Sequence, residues 1–322
     1  MKIFISAASL SVMYSASAWC AVAQQYPVRP VRMIAASSPG SAVDIIARTV
    51  AQKLSEQVGQ QVIVDNRAGA GGNLGAEIAA KAAPDGYTVF MGTPAHAIST
   101  SLYRKPTYDL ARDFAPISQV TSGSYVVVVN PAVPAKSIEE LIALARAKPG
   151  QLNYASAGTG NATHLAGALF STLAKVNIVH VPYKGSGPAL TDLIGGQVQL
   201  MFANLTAALP AVKPGRLRAL AVTGRQRSTA APELPTVMEA GVPGYVVISW
   251  FGLFAPAATP RDIVMRLNKE IAMATRSADV RERLATEGAE PSATTPEEFG
   301  AFVKSEVAQW GKVIRDAKIT PE

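Results

Sequence analysis

LNYASAGTGNATHLAGALF, residues 152–170, decides how the rest of this chain reads. It opens as a short strand through Leu152 and Tyr154. It crosses a loop of small residues, Ser156, Ala157, Gly158, Thr159, Gly160 and Asn161. It then enters an apolar-periodic helix through Thr163, Leu165, Leu169 and Phe170. A strand that passes through Ser, Gly and Thr into a helix presents unanswered backbone N–H groups and the positive end of a helix dipole. That arrangement binds carboxylates as readily as phosphates. A single such turn is also an ordinary β-α connection of a doubly wound fold. The functional reading rests on the recurrence of similar loops.

Upstream, residues 31–34 read as a strand, followed by the small-residue loop 35–42 and a helix entered at Asp44 with Ile45, Ile46, Val50 and Leu54. A strand at 62–64 leads to the glycine loop GAGGNLG (69–75) and a helix over 76–83, stopped by Pro84-Asp85-Gly86. A further strand, 87–91, ends at Gly92-Thr93. The alternation signals a parallel α/β sheet. The apolar run 125–129 is typical of a strand covered on both faces. Downstream, Ser137 reads as an N-cap ahead of Glu139 and Glu140. A strand at 178–181, the loop 182–187 and a helix from Pro188 follow, then strands at 198–202 and 217–222 and a return segment at 246–248. Helices are predicted at 263–275, 279–287 and 296–315.

Residues 1–23 carry Lys2, an uncharged apolar run and Ala21-Val22-Ala23, the pattern of a secretory signal peptide cleaved near Ala23. Cys20 is the only cysteine, and cleavage there leaves a mature chain without a thiol, so no disulfide, thiolate nucleophile or cysteine metal site is expected. The chain has the length for two domains. The formal charge of +7 falls by one with Lys2, and the basic residues are dispersed, which does not mark a nucleic-acid surface.

Catalytic signatures are missing. His96, His164 and His180 have no i, i+4 partner, so they read as hydrogen-bonded or partly buried histidines and not as metal ligands. There is no G-x-S-x-G, S-x-x-K or Walker lysine motif. Leu74 stands where a dinucleotide fingerprint needs its third glycine, so no cofactor is expected. Several anion-friendly loops without a catalytic constellation point to a binding protein.

YPVRPVRMI (26–34), VDNRAGAGGNLGAE (64–77), PDGYT (84–88), LNYASAGTGNATHLAG (152–167), VPYKGSGPALTDLIGGQV (181–198), GRLRALAVT (215–223), LPTVMEAGVPGY (234–245), APAATP (255–260) and TPEEF (295–299) carry a resemblance. The chain resembles the Bug family, the periplasmic solute-binding receptors of tripartite tricarboxylate transporters, over essentially all of its mature length. The resemblance implies an α/β, two-lobed periplasmic-binding-protein (Venus-flytrap) fold with two crossover strands. Lobe one is then 24–125 plus 247–322 and lobe two 126–246, with hinges near 124–126 and 246–249. It implies a monomeric, non-enzymatic periplasmic receptor for a small carboxylate, held in the inter-lobe cleft by backbone N–H groups, hydroxyls and water and delivered to membrane permease subunits. An exported sensor subunit docking a histidine-kinase ectodomain is the alternative, and an exported enzyme the third reading.

Carried onto this sequence, lobe-one contacts are Ser37, Ser38, Gly40, Ser41 and Ala42, with Thr93 nearby. Lobe-two contacts are Ser156, Ala157, Gly158, Thr163 and Asn204. Asp44 is expected to fix the first helix rather than touch ligand. Tyr183, Lys184 and Asp192 are rim candidates that read equally as packing, a solvated charge and a helix-surface acid. The first loop departs from the family's V-P-F-P-x-G-G pattern: Ser37 replaces an aromatic and Ser41 a glycine. Asn204 stands where many relatives place an aspartate. These changes imply a roomier pocket richer in hydroxyls, and a ligand larger or more polar than a C4 dicarboxylate.

Overall fold

The computed structural model describes residues 26–103, 106–183, 185–286 and 289–320, so the segment 1–23 read as a signal peptide and Lys184 lie outside the described residues. The first half runs β1 (Val31–Ala35), α1 (Ala42–Val58), β2 (Val62–Asn66), α2 (Asn73–Ala80), β3 (Thr88–Gly92) and α3 (Pro94–Leu102). β4 (Phe114–Val129) leads into α4 (Ile138–Ala147), β5 (Asn153–Ser156), α5 (Ala162–Ala174), β6 (Val179–Pro182), α6 (Ser186–Ile194), β7 (Leu200–Asn204), α7 (Leu205–Val212) and β8 (Arg218–Val222). β9 (Ile248–Pro256) returns, followed by α8 (Arg261–Arg276), α9 (Ala278–Thr286), β10 (Glu290–Pro291) and α10 (Pro296–Asp316).

The strand order is β2-β1-β3-β9-β4-β7-β5-β6, with β8 and β10 also on β4. β1 is parallel to β2 and β3, and β5 is parallel to β6 and β7. β9 is antiparallel to β3 and to β4, and β4 is antiparallel to β7. From Phe114 to Ser124 β4 pairs with β9, and from Tyr125 to Val129 it pairs with β7. One strand therefore belongs to both halves of the molecule. Its Val126, Val127, Val128 and Val129 are fully buried, because helices and neighbouring strands cover both faces.

Side-chain caps open several helices, of which the Ser137 cap was expected from the sequence. The Ser41 hydroxyl accepts from the Asp44 N–H and caps α1, and Ser137 does the same for α4 through Glu140. Thr295 and Glu298 form a capping box on α10. Two helices were not expected. α3 has a short, small-residue sequence with weak periodicity, and α7 contains Pro210, which reads as a breaker. α2 and α6 begin at Asn73 and Ser186, earlier than Ala76 and Pro188. Proline fits the first turn of α6, where its missing N–H has no intrahelical acceptor.

An apolar cluster extends from Ile34, Phe90 and Phe254 through Trp250, Phe299 and Trp310 to Val127, Phe202 and Tyr245. It is continuous across the strands that join the halves. Gly252 makes room for it: a Cβ there would lie 2.0 Å from the Phe299 ring, which is itself fully buried. Gly252→Ala is expected to destabilise the protein by about 2 kcal/mol or more. Chemical denaturation reads this directly, and an unchanged midpoint would mean that Phe299 can move aside freely.

Candidate functional site

A cavity of about 480 Å³ opens between the two halves. Ala42, Val43 and Ile46 of α1 and Pro94 and Ala95 of α3 form part of one wall. Ala162 and Thr163 of α5, Ser186 of α6 and Ala207 of α7 face it. The crossing strands close the back with Tyr125, Ser249 and Phe251. Each of these five helices begins at the cavity, so five positive dipole ends converge on one space. The first N–H groups of each helix have no acceptor inside the helix. Among the described residues, no Asp, Glu, Lys, Arg or His lines the wall. The cavity is electropositive through backbone geometry, not through ionised side chains.

The loops that hold these helix starts are internally bonded. Gly40 sits at φ +77 and donates its N–H to Asp44 Oδ2 at 2.8 Å. Asn66 Nδ2 donates to Asp44 Oδ1 at 2.9 Å, and Arg48 pairs with the same oxygen at 2.9 Å. Burial pushes the Asp44 carboxyl up, but the bonds from Arg48, Gly40 and Asn66 outweigh it and hold the pKa below the usual carboxylate value. Asp44 thus fixes the first loop to α1. Ser41 Oγ donates to Ser37 Oγ at 2.7 Å, so these two hydroxyls answer each other.

In the second half, Ala157 N–H donates to Thr163 Oγ1 at 2.8 Å and Gly158 N–H to Ser156 Oγ at 3.1 Å. Thr163 N–H donates to Asn161 Oδ1, and Gly160 N–H donates to His164 Nδ1, both at 3.0 Å. Ser156 Oγ lies 2.6 Å from His180 Nε2. The His164 and His180 rings stack at 3.7 Å and 7°. Burial, then the neighbouring His180, pushes His164 down to about 4, which keeps it a neutral acceptor for Gly160 at pH 7. His96 behaves similarly. Its Nδ1 accepts from the Thr93 N–H at 2.9 Å, and burial pushes it down to about 4.

Of the residues expected to contact ligand, Ala42, Thr93, Ala157, Thr163 and Asn204 line the cavity. Ser37, Ser38, Gly40, Ser41, Ser156 and Gly158 lie outside its wall, and Ser156 is fully buried. Their bonds shape the loops from behind. Tyr183 donates to Asp192 at 2.8 Å, and neither lines the cavity. Wall residues that the sequence reading did not name as ligand contacts include Asn161, Ser186, Tyr125 and Ser249. Asn161 was detectable as an N-cap, the residue type that precedes a helix. Among the described residues, no group of three His, Cys, Asp or Glu could hold a metal.

A family model described as tripartite tricarboxylate transporter family receptor matches residues 46–319. The chain is 38% identical to Protein BugT of Bordetella pertussis, covering 98% of this chain and 95% of that protein. It is similar to the solved structure of R. palustris Rpa4515 with adipate, at 40% identity and TM-score 0.80, covering 92% and 100% of the two chains. MatC (Rpa3494) from Rhodopseudomonas palustris with bound malate gives 33% identity and TM-score 0.77, covering 90% and 100%.

Asp44 titrates with a defined sign. Its pKa is depressed on folding, so its contribution is present above the unfolded value of about 3.9 and is lost as pH falls through the folded value. Asp44→Asn is expected to lose about 1–3 kcal/mol at pH 7. The difference from the parent should shrink as denaturation is repeated toward about pH 3. An equal difference at both pH values would assign the loss to amide geometry instead of charge.

Proposed function

This chain belongs to the tripartite tricarboxylate transporter receptor family, and from that premise we propose that its cavity binds a small dicarboxylate for delivery to a membrane permease. The family is one of two-lobed solute-binding receptors, not of enzymes. The observation that carries the ligand reading is the convergence of five helix starts on a wall without ionised side chains. Adipate and malate in the related structures support the same ligand class. One carboxylate docks on the first turns of α1 and α3, the other on those of α5, α6 and α7. Each charge-assisted bond to a backbone donor contributes about 1.5–3 kcal/mol. Thr163 and Asn204 add polar side-chain contacts, and ordered water fills the remaining space.

The lobes in this reading are 24–125 plus 247–322 and 126–246. They close about hinges near 124–126 and 246–249, where β4 and β9 cross. Residues 1–23 direct export to the periplasm and are removed near Ala23. No described helix is long and apolar enough to cross a membrane.

Thermal melting of the mature protein, unfolded and refolded to strip bound ligand, tests the reading. Adipate or malate at about a hundredfold over Kd should add roughly 2.7 kcal/mol and raise Tm by a few degrees. Thr163→Val leaves the Ala157 N–H without its hydroxyl acceptor and should weaken binding about tenfold or more. No shift with any di- or tricarboxylate would overturn the carboxylate assignment.

A further inference from the structure

Glu306 of α10 is a buried carboxyl directly behind the crossing strands, only 5% exposed. Its Oε2 accepts from Trp250 Nε1 at 2.9 Å and from Trp310 Nε1 at 3.1 Å. Neither indole engages Oε1. The groups that act on this carboxyl come from β9, α10, β4 and the segment after β8. Trp250 lies on β9 and Trp310 on α10, Tyr125 on β4 feels its charge, and Arg225 beyond β8 acts on it electrostatically. Burial pushes the Glu306 carboxyl above its ordinary range, and the two indoles and Arg225 reverse this only in part.

The position relative to the cavity gives this group a consequence. Side chains alternate along a strand. Ser249 and Phe251 face the cavity, while Trp250 between them turns back to Glu306. Tyr125 lines the cavity and also senses the Glu306 charge. A bound dicarboxylate and an ionised Glu306 are thus like charges on opposite faces of one strand layer. Charges separated by protein interior instead of water are weakly screened.

We propose that anion binding in the cavity is linked to uptake of one proton by Glu306, so that the receptor holds its dicarboxylate more tightly as pH falls. The inference rests on the dicarboxylate reading of the cavity. The proton comes from solvent and adds to Oε1, converting the carboxylate to the acid. Oε2 keeps both indole bonds, and no other bond changes. By linkage, ligand and proton each raise the affinity for the other.

The test is titration calorimetry of adipate with the mature protein and with Glu306→Gln, at roughly pH 5.5, 6.5 and 7.5. Each titration is repeated in two buffers of different ionisation enthalpy. The parent should lose affinity on the order of tenfold as pH rises and take up a proton on binding. Glu306→Gln retains an oxygen acceptor for both indoles and should take up no such proton. Titration of adipate itself is common to both proteins and cancels in the ratio of their affinities. Arg225→Gln, at an exposed position, removes the cation and should move the parent's pH profile upward. Adipate binding with one shared profile and no proton uptake would overturn the linkage alone. No adipate binding by either protein would overturn both the dicarboxylate reading and the linkage built on it.

Discussion

The first turn of any α-helix leaves N–H groups that the helix cannot answer. In this fold, the starts of α1, α3, α5, α6 and α7 lie around one cavity, and that geometric fact governs its chemistry. Ionised side chains on the wall would need their own partners or water, at a desolvation cost of several kcal/mol per ion. Backbone dipoles are held by the helices themselves and carry no such cost. A wall of small residues such as Ala42, Ala95, Ala157 and Ala162 lets a ligand approach that backbone closely.

The loops around the wall bond many of their own polar groups internally. Gly40 N–H belongs to Asp44, Gly158 N–H to Ser156, and Gly160 N–H to His164. These bonds hold turns such as Gly40 and Gly158, both at positive φ, where only glycine avoids strain. His164 and His180, which carried no chemistry in the sequence, hold the loop after β5 through Gly160 and Ser156. Ser37 and Ser41, read as a source of pocket hydroxyls, bond to each other outside the cavity wall.

Much of the architecture was legible because strands and helices here obey their periods. The apolar run 125–129 became the part of β4 buried on both faces, and Ser137, Glu139 and Glu140 opened α4 as their positions implied. What was not legible was local weakness corrected by tertiary packing. PAHAISTSL and LTAALPAV have little periodicity and hold prolines, and they become α3 and α7 because the surrounding core accepts them. Thr93 and Asn204 entered the sequence reading through the family resemblance, and not as helix N-caps. Each stands immediately before a helix that contributes its dipole to the cavity. Tyr125, Ser249 and Phe251 escaped notice for another reason: nothing in a strand sequence says which face will meet an inter-lobe space.

The joining strands limit how the halves can move. The apolar cluster behind them, with Trp250, Phe254, Phe202 and Tyr245, is continuous across the junction, so pulling the lobes straight apart would expose large buried rings. β4 shows register irregularities between Pro116 and Ser118 and between Gln119 and Thr121 along β9, and another at Val127/Val128 along β8. Such bulges increase local twist without breaking the strand. Ser122, Gly123 and Tyr125, between these irregularities, face the cavity. The same short stretch thus supplies the back wall of the cavity and carries the register irregularities that flank it.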